Sequence, residues 1–148
     1  MQLLDDIVKA KKWIDAIFIS ELGTGMLLEG SKTLDGRDPK LIEALMGAQG
    51  SGGLAFANTG IFHALQRMMD AFGHETGHGK LSSTILQFGD IKNFKGILVV
   101  YVYHLQQMSL AIGFVSTRQE GDTLAGMVIH CESNIKNVLK EVENKYGP

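Results

Sequence analysis

Residues 96–116 read GILVVYVYHLQQMSLAIGFVS. Two runs rich in β-branched and aromatic residues flank the connector Leu105-Gln106-Gln107, which is too short for a crossover helix. The runs therefore pair as an antiparallel hairpin. The first, Gly96–Tyr103, is apolar on both faces, as a strand in the middle of a sheet is. The second, Met108–Ser116, alternates. Met108, Leu110, Ile112 and Phe114 share one side, and Ser109, Ala111 and Gly113 share the other, a small-residue face that a helix would approach closely. A further run, Leu81–Phe88 (LSSTILQF), precedes the hairpin across the short linker DIKNFK and adds a third strand.

Working outward, the remaining elements follow from period and punctuation. Leu3, Leu4, Ile7 and Val8 mark one face of a short first helix, with Asp5 and Asp6 early and Lys9, Lys11 and Lys12 late, as the helix dipole favours. Ile14–Leu22 reads as a strand, Gly23-Thr24-Gly25 as a tight turn, and Met26–Lys32 as its hairpin partner. Asp38-Pro39 starts a helical segment running to Gln49, and Gly50–Gly53 breaks it. From Leu54 to Phe72 the helical period returns. Ile61, Phe62, Leu65, Met68, Met69 and Phe72 form a stripe edged by Ala57, Ala64 and Ala71, while His63, Gln66, Arg67 and Asp70 form the wet side. Gly73 is expected to end this helix. A last helix, capped by Asp122 or Thr123, carries Leu124, Val128, Cys131, Ile135, Val138 and Val142 on one face. The expectation is one α+β domain over residues 1–148, a five-stranded antiparallel sheet flanked by helices in the order α-β-β-α-β-β-β-α.

Composition narrows the function classes. Of 148 residues, 45% are apolar and 20% charged, as in ordinary globular chains. A formal net charge of −2 argues against nucleic-acid partners. The single cysteine, Cys131, excludes an internal disulfide and a Cys-based zinc cluster. The acidic N-terminus lacks signal-peptide character, and no apolar run is long enough to span a membrane. These features suit a soluble, cytoplasmic protein.

The motif-like stretches do not assemble a catalytic site. Phe72–Lys80 (FGHETGHGK) contains H-E-x-x-H, whose zinc chemistry needs both imidazoles on one helical turn and a third ligand. Gly73, Gly77 and Gly79 interrupt the stretch, and no downstream ligand follows the pattern. The reading is a connecting loop, with His74 and His78 at most incidental metal ligands. Gly50–Ala55 (GSGGLA) follows a helical segment rather than a strand, so it is not a dinucleotide loop. Cys131 lies on a core face, Met46, Met68, Met69 and Met127 read as core filler, and Arg37, Arg67 and Arg118 read as solvated. No catalytic residue and no cofactor are expected.

The whole arrangement resembles the Roadblock/LC7 family of profilin-like α+β domains. The likeness lies in a short first helix, the glycine-turned hairpin IDAIFISELGTGMLLEG, the alanine-rich helix LAFANTGIFHALQRMMDAF, the strands LSSTILQFG, GILVVYVY and MSLAIGFVS, and a closing helix. The resemblance implies a non-catalytic module that dimerises through its middle helix and third strand and acts with Ras-like small GTPases. On this chain the expected homodimer surface comprises Ala57, Ile61, Ala64 and Met68 of the helix and Ser83, Ile85 and Gln87 of the strand. The strand has no proline or charge to guard an open edge. A ligand-sensing domain of PAS, GAF or longin type shares the layout more loosely. A zinc hydrolase using His74, Glu75 and His78 is the remote alternative.

Overall fold

A computed structural model describes residues 1–10, 13–22, 27–31 and 60–147, and the side chains of all of these except 60–64. Three helices occur among them, α1 (Gln2–Lys9), α2 (Gly60–Thr76) and α3 (Leu124–Tyr146). Five strands accompany them: β1 (Ile14–Glu21), β2 (Leu27–Gly30), β3 (Ser83–Phe88), β4 (Ile97–Leu105) and β5 (Leu110–Arg118). The strands form one sheet in the order β2-β1-β5-β4-β3, antiparallel at every junction. The turn at 23–25, the segment Pro39–Gln49 and the break at Gly50–Gly53 lie outside the described residues.

The 96–116 hairpin is the middle of the sheet. Val100 pairs with Val115 and Val102 with Gly113, while β1 covers the other side of β5. One face carries Ile17 and Ile19 of β1, Tyr101 of β4 and Leu110, Ile112 and Phe114 of β5, all buried. Onto it pack Leu4 and Val8 of α1 and Cys131, Ile135, Val138 and Val142 of α3, recurring at helical spacing. A register shift between Ile14 and Ala16 turns Ile14 into the same cluster as Ile17, so both isoleucines are buried together. Asp15, at the shift, accepts a 2.7 Å bond from Thr117 Oγ1. Each fully buried aliphatic or aromatic side chain here contributes about 1.5–3 kcal/mol.

The opposite face holds Ala16, Phe18, Val100, Val102, Ala111 and Val115. Here the small-residue side of β5 departs from expectation. Gly113 stands opposite Phe18, and a Cβ at 113 would fall inside the Phe18 ring. A cross-strand aromatic, not an approaching helix, occupies the space that glycine leaves.

Thr123 caps α3, its Oγ1 accepting the Gly126 amide at 3.1 Å. At the other end Lys145 forms an ion pair with Glu29 of β2, fastening the helix across the sheet to its far edge. Between these points the helix buries Cys131, whose thiol is pushed up to about 12 by desolvation, with Glu132 adding to the rise and the Ser116 hydroxyl opposing it. Tyr101 is likewise pushed up to about 12, by burial first and then by the Glu132 carboxylate, which accepts its hydroxyl at 3.3 Å. Met127 is buried, as a core methionine should be. Among the described residues no helix is long and apolar enough to cross a membrane.

Candidate protein-binding interface

Among the described residues β3 is an edge strand, and its register fixes what that edge presents. The His104 amide donates to the Ser82 carbonyl at 2.9 Å, and Ser83 lies opposite Tyr103. Antiparallel pairs alternate between hydrogen-bonded and non-bonded, so positions 84, 86 and 88 bond to β4. The amides and carbonyls of Ser83, Ile85 and Gln87 therefore point away from the sheet. Their side chains stand on the same face as Tyr101, Tyr103 and Val99, beside α3, and Ile85 is 44% exposed. The three strand positions expected at a dimer surface are those whose backbone faces outward.

α2 departs from its expected face at several positions over its described turns. Gln66, assigned to the wet side, is buried, and Asp70 is half-buried, whereas Met68 is 66% and Phe72 62% exposed. The methionines Met68 and Met69 are thus surface residues rather than core filler. Asp70 has a polar anchor on this side. Asp70 Oδ1 accepts the Leu81 amide at 2.8 Å, which pulls this side of the helix toward the sheet. Asp70 also lies near enough to His104, on the face of β4 opposite α3, for its charge to act on that imidazole. Burial holds His104 below the usual histidine range, and the Asp70 carboxylate opposes that shift. Ala57 lies outside the described residues, as do the side chains of Ile61 and Ala64. Met68 is the one expected helix position whose exposure the structure describes.

The helix also runs past its expected end. It continues through Gly73 to Thr76, so His74 and Glu75 occupy its last turn rather than a loop. Termination falls at Gly77, with φ +74°. The His78 amide donates to the Gly73 carbonyl at 2.9 Å and the Gly77 amide to that of His74 at 3.3 Å, a Schellman closure. Gly73 serves another purpose: a Cβ there would collide with the carbonyl oxygen of Gly79, because the chain folds back over it. His74, Glu75 and His78 are exposed, and His78 Nδ1 lies 3.1 Å from Thr76 Oγ1. Among the described residues no group of three or more His, Cys, Asp or Glu side chains is placed to hold a metal ion.

The entry to β3 is held from two sides. Leu81 gives its amide to Asp70, and its carbonyl accepts from Gln106 Nε2 in the β4–β5 connection. Neither contact was expected from sequence, since the partners lie 11 and 25 residues away. Near this point Tyr103, Leu105, Met108, Leu139 and Glu143 line an open cleft of about 390 Å³. Arg67 is exposed as expected, and Arg37 lies outside the described residues. Arg118 is not simply solvated. It is half-buried, with Nη1 donating to Gln87 Oε1 at 2.7 Å and Nε to the Asp122 carbonyl at 3.1 Å.

No family model, curated protein or solved structure matches this chain.

Proposed function

We propose that the chain is a non-catalytic, dimeric scaffold or regulatory module of Roadblock/LC7 type, built on a profilin-like sheet and acting in the cytoplasm with a Ras-like small GTPase. The observations that support it are a β3 edge with no strand paired to it among the described residues and an exposed apolar side of α2. Ser83, Ile85 and Gln87 offer backbone donors and acceptors in strand register, and an open edge of this kind pairs with another strand. Met68 and Phe72 expose apolar surface on α2, where solvent contact is unfavourable and a partner would remove it. A second copy of the chain carries the same two features, and a two-fold axis at the β3 edge would pair the two strands.

The GTPase arm rests on the family resemblance and is tested separately. Ras-like GTPases of the source cell, loaded with GDP or a non-hydrolysable GTP analogue, are passed over the immobilised 148-residue chain. Binding of one of them in a nucleotide-dependent manner is expected. Failure of all of them in both nucleotide states removes the GTPase arm and leaves the dimeric module standing on its own test.

A further inference from the structure

At the end of β4 remote from His104, an open cleft of about 380 Å³ is lined by Ile91, Lys92, Phe94, Arg118, Glu120 and Asp122. Arg118 is the last residue of β5, and its two bonds, to the Gln87 side-chain amide and the Asp122 backbone carbonyl, fix the guanidinium plane. Neither acceptor is charged, so these two bonds do not neutralise the guanidinium, and the nearby carboxylates are those of Glu120 and Asp122 in the cleft lining. Two of its five N–H bonds are engaged in this way, leaving one on Nη1 and two on Nη2 as donors for an anion. Partial burial raises the strength of such a charge-assisted bond above its value in open water. Lys92 supplies a second cation, and Ile91 and Phe94 supply apolar wall, with Ile91 58% exposed.

The acids in the same cleft set the ligand's charge. Asp122 Oδ2 accepts the Gln119 amide at 2.8 Å, and Glu120 stands exposed at the turn. Both carboxylates repel a second negative charge, which disfavours a phosphate dianion relative to a monoanion. We propose that this cleft binds a monocarboxylate with an apolar tail, the carboxylate against Arg118 and Lys92 and the tail against Ile91 and Phe94. A small organic acid and the C-terminal residue of a peptide share this chemistry. The proposal is independent of the dimer reading.

The test is a set of NMR titrations of the ¹⁵N-labelled 148-residue chain at constant ionic strength. Its ligands are butyrate, inorganic phosphate, and a hexapeptide ending in leucine as free acid or as amide. Saturable shifts of the Lys92 and Gly121 amides with butyrate are expected, with phosphate at least about tenfold weaker. The peptide acid binding at least about tenfold tighter than butyrate, with its amide inactive, assigns a chain terminus as the source; otherwise a small acid is the ligand. Arg118→Lys, which keeps charge and loses the guanidinium, weakens binding at least about tenfold. Lys92→Gln, an exposed change, weakens it about threefold with the remaining spectrum unaltered, and serves if the Arg118 variant does not fold. Shifts that stay linear to about 50 mM with every ligand, a preference for phosphate, or unchanged binding in Lys92→Gln each overturn the proposal.

Discussion

The carboxylate of Asp70 and the main-chain amide of Leu81 are joined by a 2.8 Å hydrogen bond that ties the middle helix to the start of the edge strand. With Gln106 on the Leu81 carbonyl, this bond holds α2 to the entry of β3 from two sides of Leu81. Asp70→Ala leaves a part-buried amide unsatisfied, so it lowers unfolding free energy by about 1–3 kcal/mol. Asp70→Asn, which retains an acceptor oxygen, loses less than half of that. Urea denaturation of the two variants gives the comparison, and equal losses would show that charge rather than the bond matters.

His104 makes stability depend on pH in a defined direction. Its pKa is lower in the folded chain than in the unfolded one, because burial disfavours the imidazolium. As pH falls below the ordinary histidine range the unfolded chain takes up the proton first, so stability falls with it. Asp70→Asn removes the carboxylate that supports the charged form and pushes the folded pKa lower still, extending the decline to lower pH. His104→Gln flattens the profile between about pH 7 and pH 5. Thermal melts across that range measure it, and a wild-type Tm independent of pH there would contradict the account.

Cys131 is expected to be inert in the native chain. With its thiol pushed up to about 12, the thiolate fraction at pH 8 is roughly a thousandfold below that of an ordinary cysteine. Reaction with a chromogenic disulfide should be slow natively and fast in guanidinium. The same shift predicts that stability declines as pH rises through the normal thiol range, since the unfolded chain ionises there and the folded one does not. Equal native and denatured labelling rates would refute the burial of this side chain.

Gly113 and Phe18 form a matched pair across β5 and β1. Gly113→Ala drives a methyl group into the Phe18 ring and costs about 1–3 kcal/mol or more. Adding Phe18→Leu in the same chain makes room, so the double variant is more stable than additivity predicts. A double-mutant cycle in urea checks this, and strict additivity would mean the two residues do not share the space.

The sheet was legible because its signals are local. β-branched runs, alternation over Leu110–Phe114 and short connectors fix strand existence and pairing from neighbouring residues alone. The cap of α3 and its buried stripe follow the same logic. What was not legible depends on contacts distant in sequence. α2 looked amphipathic with Gln66 and Asp70 outside, whereas Gln66 is buried and Asp70 bonds to Leu81, 11 residues away. The helix end moved from Gly73 to Gly77 because two glycines compete, and only the fold-back of residues 77–79 distinguishes close approach at one from left-handed backbone at the other. That Ser83, Ile85 and Gln87 share one side of β3 was readable from the alternation of a strand. The inner role of Asp70 and the bridging role of Arg118 were not, since neither residue type nor spacing marks them.

The dimer claim is tested most directly by sedimentation velocity of the 148-residue chain and of Ile85→Pro. The Ile85 amide points away from β4, so proline there removes an edge donor without breaking the β3–β4 ladder. At about 20 μM the wild-type chain is expected to sediment as a dimer and Ile85→Pro as a folded monomer. A wild-type chain that sediments as a monomer at that concentration would contradict the account.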